Sequence, residues 1–169
     1  MYDYLSGRPK IRGQVFQLMR GQMPHPNQPG QLLTTFTTYL YLVNRRRNSV
    51  HVLDYELETK IGRKWRRLER VYGIHRIPNL TFLDARGKEI RVENFSENLI
   101  YRKGRPVEFG SPLHGWVVFA GEAGLHRAEI SKYRLTCIDA FGARHKIITS
   151  SERLANLPLL QDLAGVEIP

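Results

Sequence analysis

An all-β domain followed by a short helix is the fold class that the sequence predicts, and two stretches of chain lead to it. The stretch from Leu32 to Asn44 is rich in Thr, Tyr, Phe and Val, which favour a pleated strand. The stretch from Ser111 to Ser150 contains an apolar run and an alternating run, each bounded by residues that form turns. We therefore expect an antiparallel domain of about seven strands.

The second stretch predicts one buried strand followed by a hairpin. Gly115 to Phe119 is apolar on both faces, which predicts a central strand buried on both sides. Ile130 to Ile138 alternates apolar and polar residues, as half-buried antiparallel strands do. Asp139 to Arg144 is a turn in which Gly142 is free to take a positive φ, and His145 to Thr149 return as the partner strand. The residues expected to face inward in the alternating strand are Tyr133, Leu135 and Cys137.

The same stretch resembles a known class of domain. Its Pro-Leu-x-Gly-Trp-x-x-Phe pattern from Pro112 to Phe119, followed by a hairpin, resembles the second half of the immunoglobulin-like β-sandwiches found in many uncharacterised bacterial proteins. The antibody pattern has a Tyr two residues before its second Cys, whereas Leu135 holds that place here and Cys137 has no second Cys to pair with. The resemblance implies an immunoglobulin-like antiparallel β-sandwich and no catalytic or binding residue.

The first half of the chain predicts a strand, a loop and a hairpin. Gly13 to Arg20 is expected to be the first strand, and residues 21–30, with three prolines, a loop. Leu32 to Asn44 and Val50 to Thr59 are expected to pair as a hairpin whose tip carries three arginines. Residues 61–72 fit either a helix or an edge strand, and their β-rich surroundings favour the strand.

The remaining segments complete the predicted domain. Short strands are expected at residues 80–83 and 89–92, and a short helix capped by Ser151 near the end. Residues 1–12 are expected to be a flexible basic arm, residues 13–150 the β-sandwich domain, and residues 151–169 a helical tail packed on the sandwich. The residues expected to be buried are Phe36, Leu40, Leu53, Leu57, Trp116, Phe119, Tyr133, Leu135 and Cys137.

Composition limits the classes of protein to which this chain can belong. The single Cys excludes an internal disulfide and a Cys-based zinc site. No run of about eighteen apolar residues predicts a transmembrane helix, and the first residues have no apolar signal-peptide core. A soluble protein and a soluble part of an anchored protein both fit. The net charge of +10 indicates nucleic acid, an anionic membrane surface, an acidic protein, or merely a genome rich in Arg codons.

The sequence shows no constellation typical of catalysis or of a cofactor site. None of the six histidines forms a His-x-His or His-x-x-x-His pair, so no metal site is predicted. Cys137 is expected to be a buried, inert thiol. Asp54, Glu56 and Glu58 have the spacing of one solvated strand face, and no Gly-rich phosphate loop is present. We therefore predict a protein without enzymatic activity, cofactor or metal.

The Arg-rich segment is the candidate binding site. From Arg45 to Arg70 there are nine basic and four acidic residues, and nine minus four leaves +5. Such a face suits an acidic protein or an anionic membrane surface. The alternatives are non-specific nucleic-acid binding, with Trp65 and Tyr72 stacking on bases, and an edge strand made basic to prevent edge-to-edge pairing. The predicted basic face consists of Arg45, Arg46, Arg47, Arg63, Lys64, Trp65, Arg66, Arg67 and Arg70.

Overall fold

A computed structural model of the protein describes residues 10–25, 27–72, 80–83 and 89–157. Within these ranges the chain is mostly antiparallel β-structure, which confirms the all-β prediction at that level. Seven strands form one curled sheet in the order β1-β2-β7-β4-β3-β8-β9, and β5 pairs with β6 as a separate hairpin. The strands are β1 (Ile11–Pro24), β2 (Leu32–Asn44), β3 (Val52–Ile61), β4 (Lys64–Arg70), β5 (Leu80–Leu83), β6 (Glu89–Val92), β7 (Leu113–Gly121), β8 (Ile130–Asp139) and β9 (Arg144–Ser150).

The sheet curls because its inward side is apolar along every long strand. Phe36 on β2 lies opposite Phe119 on β7, and Leu57 on β3 lies opposite Leu135 on β8; all four side chains are fully buried in one core. The curl brings the two outer strands together, so that Ile147 on β9 fills the space where a side chain at position 13 of β1 would lie. Glycine at that position permits the close approach.

Strand β4 joins the two halves of the sheet. Its first part pairs with β3, where Leu57 lies opposite Leu68, across a two-residue turn in which Gly62 takes φ 56°. Its last two residues pair with β7, where Glu69 lies opposite Ala120. The strand predicted for residues 61–72 is therefore confirmed over Lys64–Arg70. Its first five residues pair only with β3 and so form an edge, whereas Glu69 and Arg70 pair with β7.

The predicted pairing of the second and third strands is wrong. Strand β2 pairs with β1 on one side and β7 on the other, so neither of its edges is left for β3. Strand β3 pairs with β4 and β8. The arginine-rich segment after Asn44 is consequently a connection between the two halves of the sheet rather than the tip of a hairpin.

Strand β7 is buried on both faces, as its apolar run predicts. Val117 and Phe119 face the main core, whereas Trp116 and Val118 face outward. A covering segment, residues 93–103, lies over this outward face and packs Phe95 and Leu99 against Trp116. It also hydrogen-bonds to the strand, since the Trp116 amide donates to the Asn98 carbonyl at 2.8 Å.

The predicted core is confirmed with one exception. Phe36, Leu40, Leu57, Trp116, Phe119, Tyr133, Leu135 and Cys137 are all buried. Leu53 is 63% exposed. The register of β3 against β8 shifts between Val52 and Asp54, and this bulge takes Leu53 out of the alternation that Tyr55 and Leu57 obey.

The ends of the described chain correct three further predictions. Strand β1 begins at Ile11, inside the predicted arm, and runs to Pro24, inside the predicted loop. A short helix, α1 (Ser151–Ala155), is present, but its cap is Ser150, whose hydroxyl accepts from the Arg153 amide at 3.1 Å. Ser151 instead donates to the Ile130 carbonyl. Residues 1–9 and 158–169, which include most of the predicted arm and tail, lie outside the described residues.

Candidate functional site

The nine residues of the predicted basic face are spread along the whole length of β3. Arg45, Arg46 and Arg47 lie in the connection that leads into the first residue of β3, and the other six lie in and after the turn that follows its last residue. Strand β3 has ten residues, so it spans about 33 Å. The nine side chains therefore do not share one continuous surface.

Two arginines of β4 are engaged within the protein. Arg67 pairs with Glu56 at 2.9 Å, and Glu56 also receives Arg144 from β9. Arg70 donates to Asp54 at 2.7 Å, and its side chain is only 8% exposed. Its guanidinium lies 4.5 Å from the Tyr72 ring centroid and 4.6 Å from that of Tyr101. Arg70 is thus a buried ion-pair and cation–π residue at the point where β4 ends.

Trp65 is covered by a cation from a neighbouring strand. The guanidinium of Arg134 on β8 lies 4.3 Å from the Trp65 ring centroid. The same guanidinium donates to both carboxylate oxygens of Glu58 on β3, at 2.5 and 2.7 Å. The hydrogen bond from Arg134 lowers the pKa of Glu58, an effect that outweighs its partial burial. The acidic row predicted on β3 therefore neutralises arginines of β4, β8 and β9.

Three members of the predicted basic face remain exposed at the turn between β3 and β4: Arg63, Lys64 and Arg66. Arg66 lies 3.6 Å from Glu122, with both side chains at least half exposed. An ion pair of that kind adds little stability in water. This exposed group belongs to what we call the hairpin end, the end of the sheet that carries the turn at residues 62–63.

Three segments meet at the other end of the sheet, which we call the loop end: residues 45–53, 105–111 and 140–143. Val50 and Val107 exchange backbone hydrogen bonds of 3.2 and 2.8 Å, which join the first two segments. The Ala140 amide donates to the His51 carbonyl at 2.9 Å, which joins the first to the third. The loop end is consequently tied together by backbone hydrogen bonds.

The buried side chain of Asn44 fixes the backbone path of the arginine-rich segment that follows it. Its side-chain Nδ2 donates to the carbonyls of Asn48 at 2.6 Å and Val107 at 3.1 Å. Its Oδ1 accepts from the Arg46 amide at 3.0 Å, which forms an Asx-type turn. This segment therefore turns outward with all three arginine side chains exposed.

Buried Asp139 holds the third segment. Its Oδ1 accepts from the amides of Phe141 and Ala143, both at 2.9 Å, and its Oδ2 lies 2.7 Å from His145 Nε2. Burial alone would raise the pKa of Asp139, but the hydrogen bonds from His145 and from the two amides outweigh it, so the pKa is lowered. With Gly142 at φ 77°, the turn is fixed with Phe141 at its tip.

Large apolar side chains are exposed across the loop end. Phe141 is 77% exposed, Leu53 63% and Phe109 62%. The three segments carry four arginines and one glutamate, and four minus one leaves a formal +3. The loop end therefore combines apolar side chains with excess positive charge, a composition enriched at interaction surfaces.

Sequence reasoning identified the arginines of the loop end but missed its apolar residues. Phe141 stands beside Gly142 in a recognisable turn, a signal that predicts exposure. Leu53 has the spacing of a core residue, and only the bulge reveals its exposure. Phe109 lies in an irregular segment without a pattern to assign it.

No group of side chains typical of metal binding occurs in the described ranges. They contain no group of three or more His, Cys, Asp or Glu residues able to hold a metal ion. Burial raises the pKa of the Cys137 thiol, so the thiolate is disfavoured. None of the described helices is long and apolar enough to span a membrane.

Comparison of the chain with protein-family models finds no match, and comparisons with curated proteins and with solved structures find none either.

Proposed function

We propose that this protein is a non-enzymatic interaction module whose loop end binds a negatively charged partner. One observation carries the proposal: Leu53, Phe109 and Phe141 are exposed at the same end of the sheet as Arg45, Arg46 and Arg47. The ion pairs found among the described residues do not include these three arginines. Their charges are therefore not neutralised by a carboxylate of the described residues.

Energetics favour the loop end over the outward face of β3, β4 and β8. On that face the glutamates of β3 already neutralise arginines. A partner binding there would have to replace existing ion pairs, with little net gain. At the loop end a partner instead covers exposed apolar area and meets uncompensated positive charge, and both changes favour binding.

Nucleic acid held through Trp65 and Tyr72, the two rings predicted to stack on bases, is the less favoured partner because an arginine covers each ring. Arg134 covers the Trp65 ring, and Arg70 covers the Tyr72 ring. Single-stranded nucleic acid is held largely by successive bases stacking on free aromatic faces. We therefore expect a random oligonucleotide not to bind through Trp65 and Tyr72.

The finer fold assignment forms part of the proposal: we infer an immunoglobulin-like β-sandwich in which β1-β2-β7 and β3-β8-β9 are the two layers. Its support is that both groups contribute to a single core and that β4 is the one strand connecting them. Loops clustered at one end of a sandwich are the usual place for its binding surface.

Titration of the isotopically labelled full chain with poly-L-glutamate, followed by amide NMR, tests the proposed function. We expect shifts concentrated in residues 45–53, 105–111 and 140–143. The triple variant Arg45→Gln, Arg46→Gln, Arg47→Gln should lose most of the binding. Poly-L-glutamate serves here as a soluble probe of negative charge.

A matched triple variant at the hairpin end supplies the control. Arg63→Gln, Lys64→Gln and Lys132→Gln remove the same charge from exposed side chains, so net charge falls equally in both triples. We expect the control to bind within about twofold of the original chain, because screening confines surface electrostatics to roughly 8–10 Å. Equal losses in the two triples, or shifts centred on the hairpin end, would contradict the proposal.

A further inference from the structure

We infer that the negatively charged partner of the loop end is an anionic lipid bilayer, an inference that rests on the proposed function. Leu53, Phe109 and Phe141 would enter the boundary between headgroups and acyl chains. The arginines that follow β2 would contact lipid phosphates. The chain would then stand on the membrane with its strands directed at the surface and its hairpin end away from it.

The distribution of the apolar side chains favours a bilayer over a protein. They come from three different segments, each fixed separately: Phe141 by the Asp139 turn, Phe109 beside the Asn44 bridge, and Leu53 by the bulge of β3. The core of a protein interface is a continuous, tightly packed apolar patch. A fluid bilayer requires no such patch, because lipids rearrange around each inserted side chain.

The chemistry of the cations favours phosphate headgroups. All four basic residues of the loop-end segments are arginines, whose guanidinium groups bind phosphate oxygens through paired hydrogen bonds. Three are consecutive and exposed beside the apolar side chains. Apolar insertion combined with basic residues is the combination that holds peripheral proteins on anionic membranes.

Charge on the rest of the chain suits the same partner. The net charge of +10 exceeds the +3 of the loop-end segments by seven, so positive charge extends beyond the docking surface. An extended positive field suits a laterally extended negative surface, which attracts the whole chain before the loop end makes contact. A small acidic patch on a protein would use only part of that field.

Vesicle co-sedimentation of the full chain tests the inference. We expect binding to vesicles of phosphatidylcholine with phosphatidylglycerol and none to phosphatidylcholine alone. The loop-end Arg→Gln triple should weaken binding on the order of 100-fold, from about fivefold for each basic residue. Phe109→Ser and Phe141→Ser should each weaken it about tenfold.

The hairpin-end triple is again the control for net charge. We expect it to weaken vesicle binding by less than about fivefold, because its side chains would face away from the membrane beyond the screening distance. Equal weakening by the two triples would overturn the inference, since adsorption would then depend on net charge alone. Unchanged binding of both Phe→Ser variants would also overturn it.

A site-specific probe reports insertion directly. Cys137 is fully buried, so a cysteine introduced on the surface is the residue that a thiol-reactive dye modifies. An environment-sensitive fluorophore at Phe141→Cys should shift to shorter wavelength with phosphatidylglycerol vesicles and be quenched by lipids carrying a quencher in the acyl chain. The same fluorophore at Arg63→Cys should do neither. A shift at both positions, or at Arg63→Cys alone, would contradict the orientation.

The two experiments separate the inference from the function beneath it. Loop-end shifts with poly-L-glutamate but no binding to anionic vesicles would overturn the membrane inference and favour an acidic protein as the partner. If neither the loop-end shifts nor vesicle binding is observed, the proposed function is overturned as well. Vesicle binding that depends on Phe109, Phe141 and the arginines would support both.

Discussion

Strands β7 and β8 lie on opposite sides of β4 and β3 in one sheet, yet the outward face of β7 is buried and that of β8 is exposed. The outward side chains of β7, Trp116 and Val118, are buried beneath Phe95 and Leu99. On β8 the outward Arg134 remains at the surface and pairs with Glu58. The covering segment, residues 93–103, therefore forms a second apolar layer over only half of the sheet.

The two faces contribute to stability by different physics. Burial of Trp116 removes a large apolar area from water, a contribution that salt hardly affects. The Glu58–Arg134 pair is partly exposed and depends on ionisation, so it is weaker and responds to pH and salt. Substitutions on the two faces should therefore differ in size and in their response to solution conditions.

Removing Trp116 should give the largest effect on the covered face. Trp116 is 1% exposed, and Trp116→Ala should lower the free energy of unfolding by about 3–5 kcal/mol because it leaves a cavity between β7 and the covering segment. Urea denaturation measures the change. Ile148→Ala on β9, where the side chain is 57% exposed, is the control and should change stability by less than about 0.5 kcal/mol. Similar losses in both variants would show that the covered face is not a core.

Asp139, at the end of β8, stabilises the protein through buried polar contacts. Its substitution shows how large that contribution is compared with the burial of Trp116. Asp139→Asn keeps the shape of the side chain but removes the negative charge that accepts hydrogen bonds from two amides and His145. We expect the free energy of unfolding to fall by about 2 kcal/mol. Because the pKa of Asp139 is lowered in the folded protein, its stabilisation is complete above the unfolded pKa of about 3.9 and lost as pH falls through the folded value.

The pH dependence of unfolding checks this assignment. The original chain should lose stability steadily on acidification below about pH 5, and Asp139→Asn should lose less over the same interval. The difference in unfolding free energy between the two should therefore shrink as pH falls. A difference that is constant from neutral to acidic pH would exclude a lowered pKa at Asp139.

Breaking the pair on the charged face should give the smallest effect. Glu58→Gln should lower the unfolding free energy by about 0.5–1 kcal/mol, because both side chains are partly solvated. Arg134 would no longer be fixed above Trp65, so the tryptophan fluorescence should change even though stability barely does. High salt should reduce the stability difference between the two chains. A loss as large as that of Trp116→Ala would contradict the contrast between the faces.

Local patterns in the sequence sufficed to identify which residues of each strand face the core. Alternation identified the inward faces of β3 and β8, and the apolar run identified β7 as buried on both sides, because successive side chains of a strand point to opposite faces. This local rule failed at Leu53, where one extra residue in a bulge moves the side chain to the surface. The sequence also identified the turn that carries Phe141.

Which strands pair, and which segments meet at the loop end, depended on the fold as a whole. Strand pairing depends on contacts between residues distant along the chain, and the pattern of β2 is equally compatible with β3 or β7 as its neighbour. Arg45 and Arg63 flank the ten-residue strand β3, so they lie near its opposite ends whichever strand pairs with β2. Pairing between distant segments brings Phe109 to Asn44 and Ala140 to His51, and so assembles a loop end that no local pattern contains.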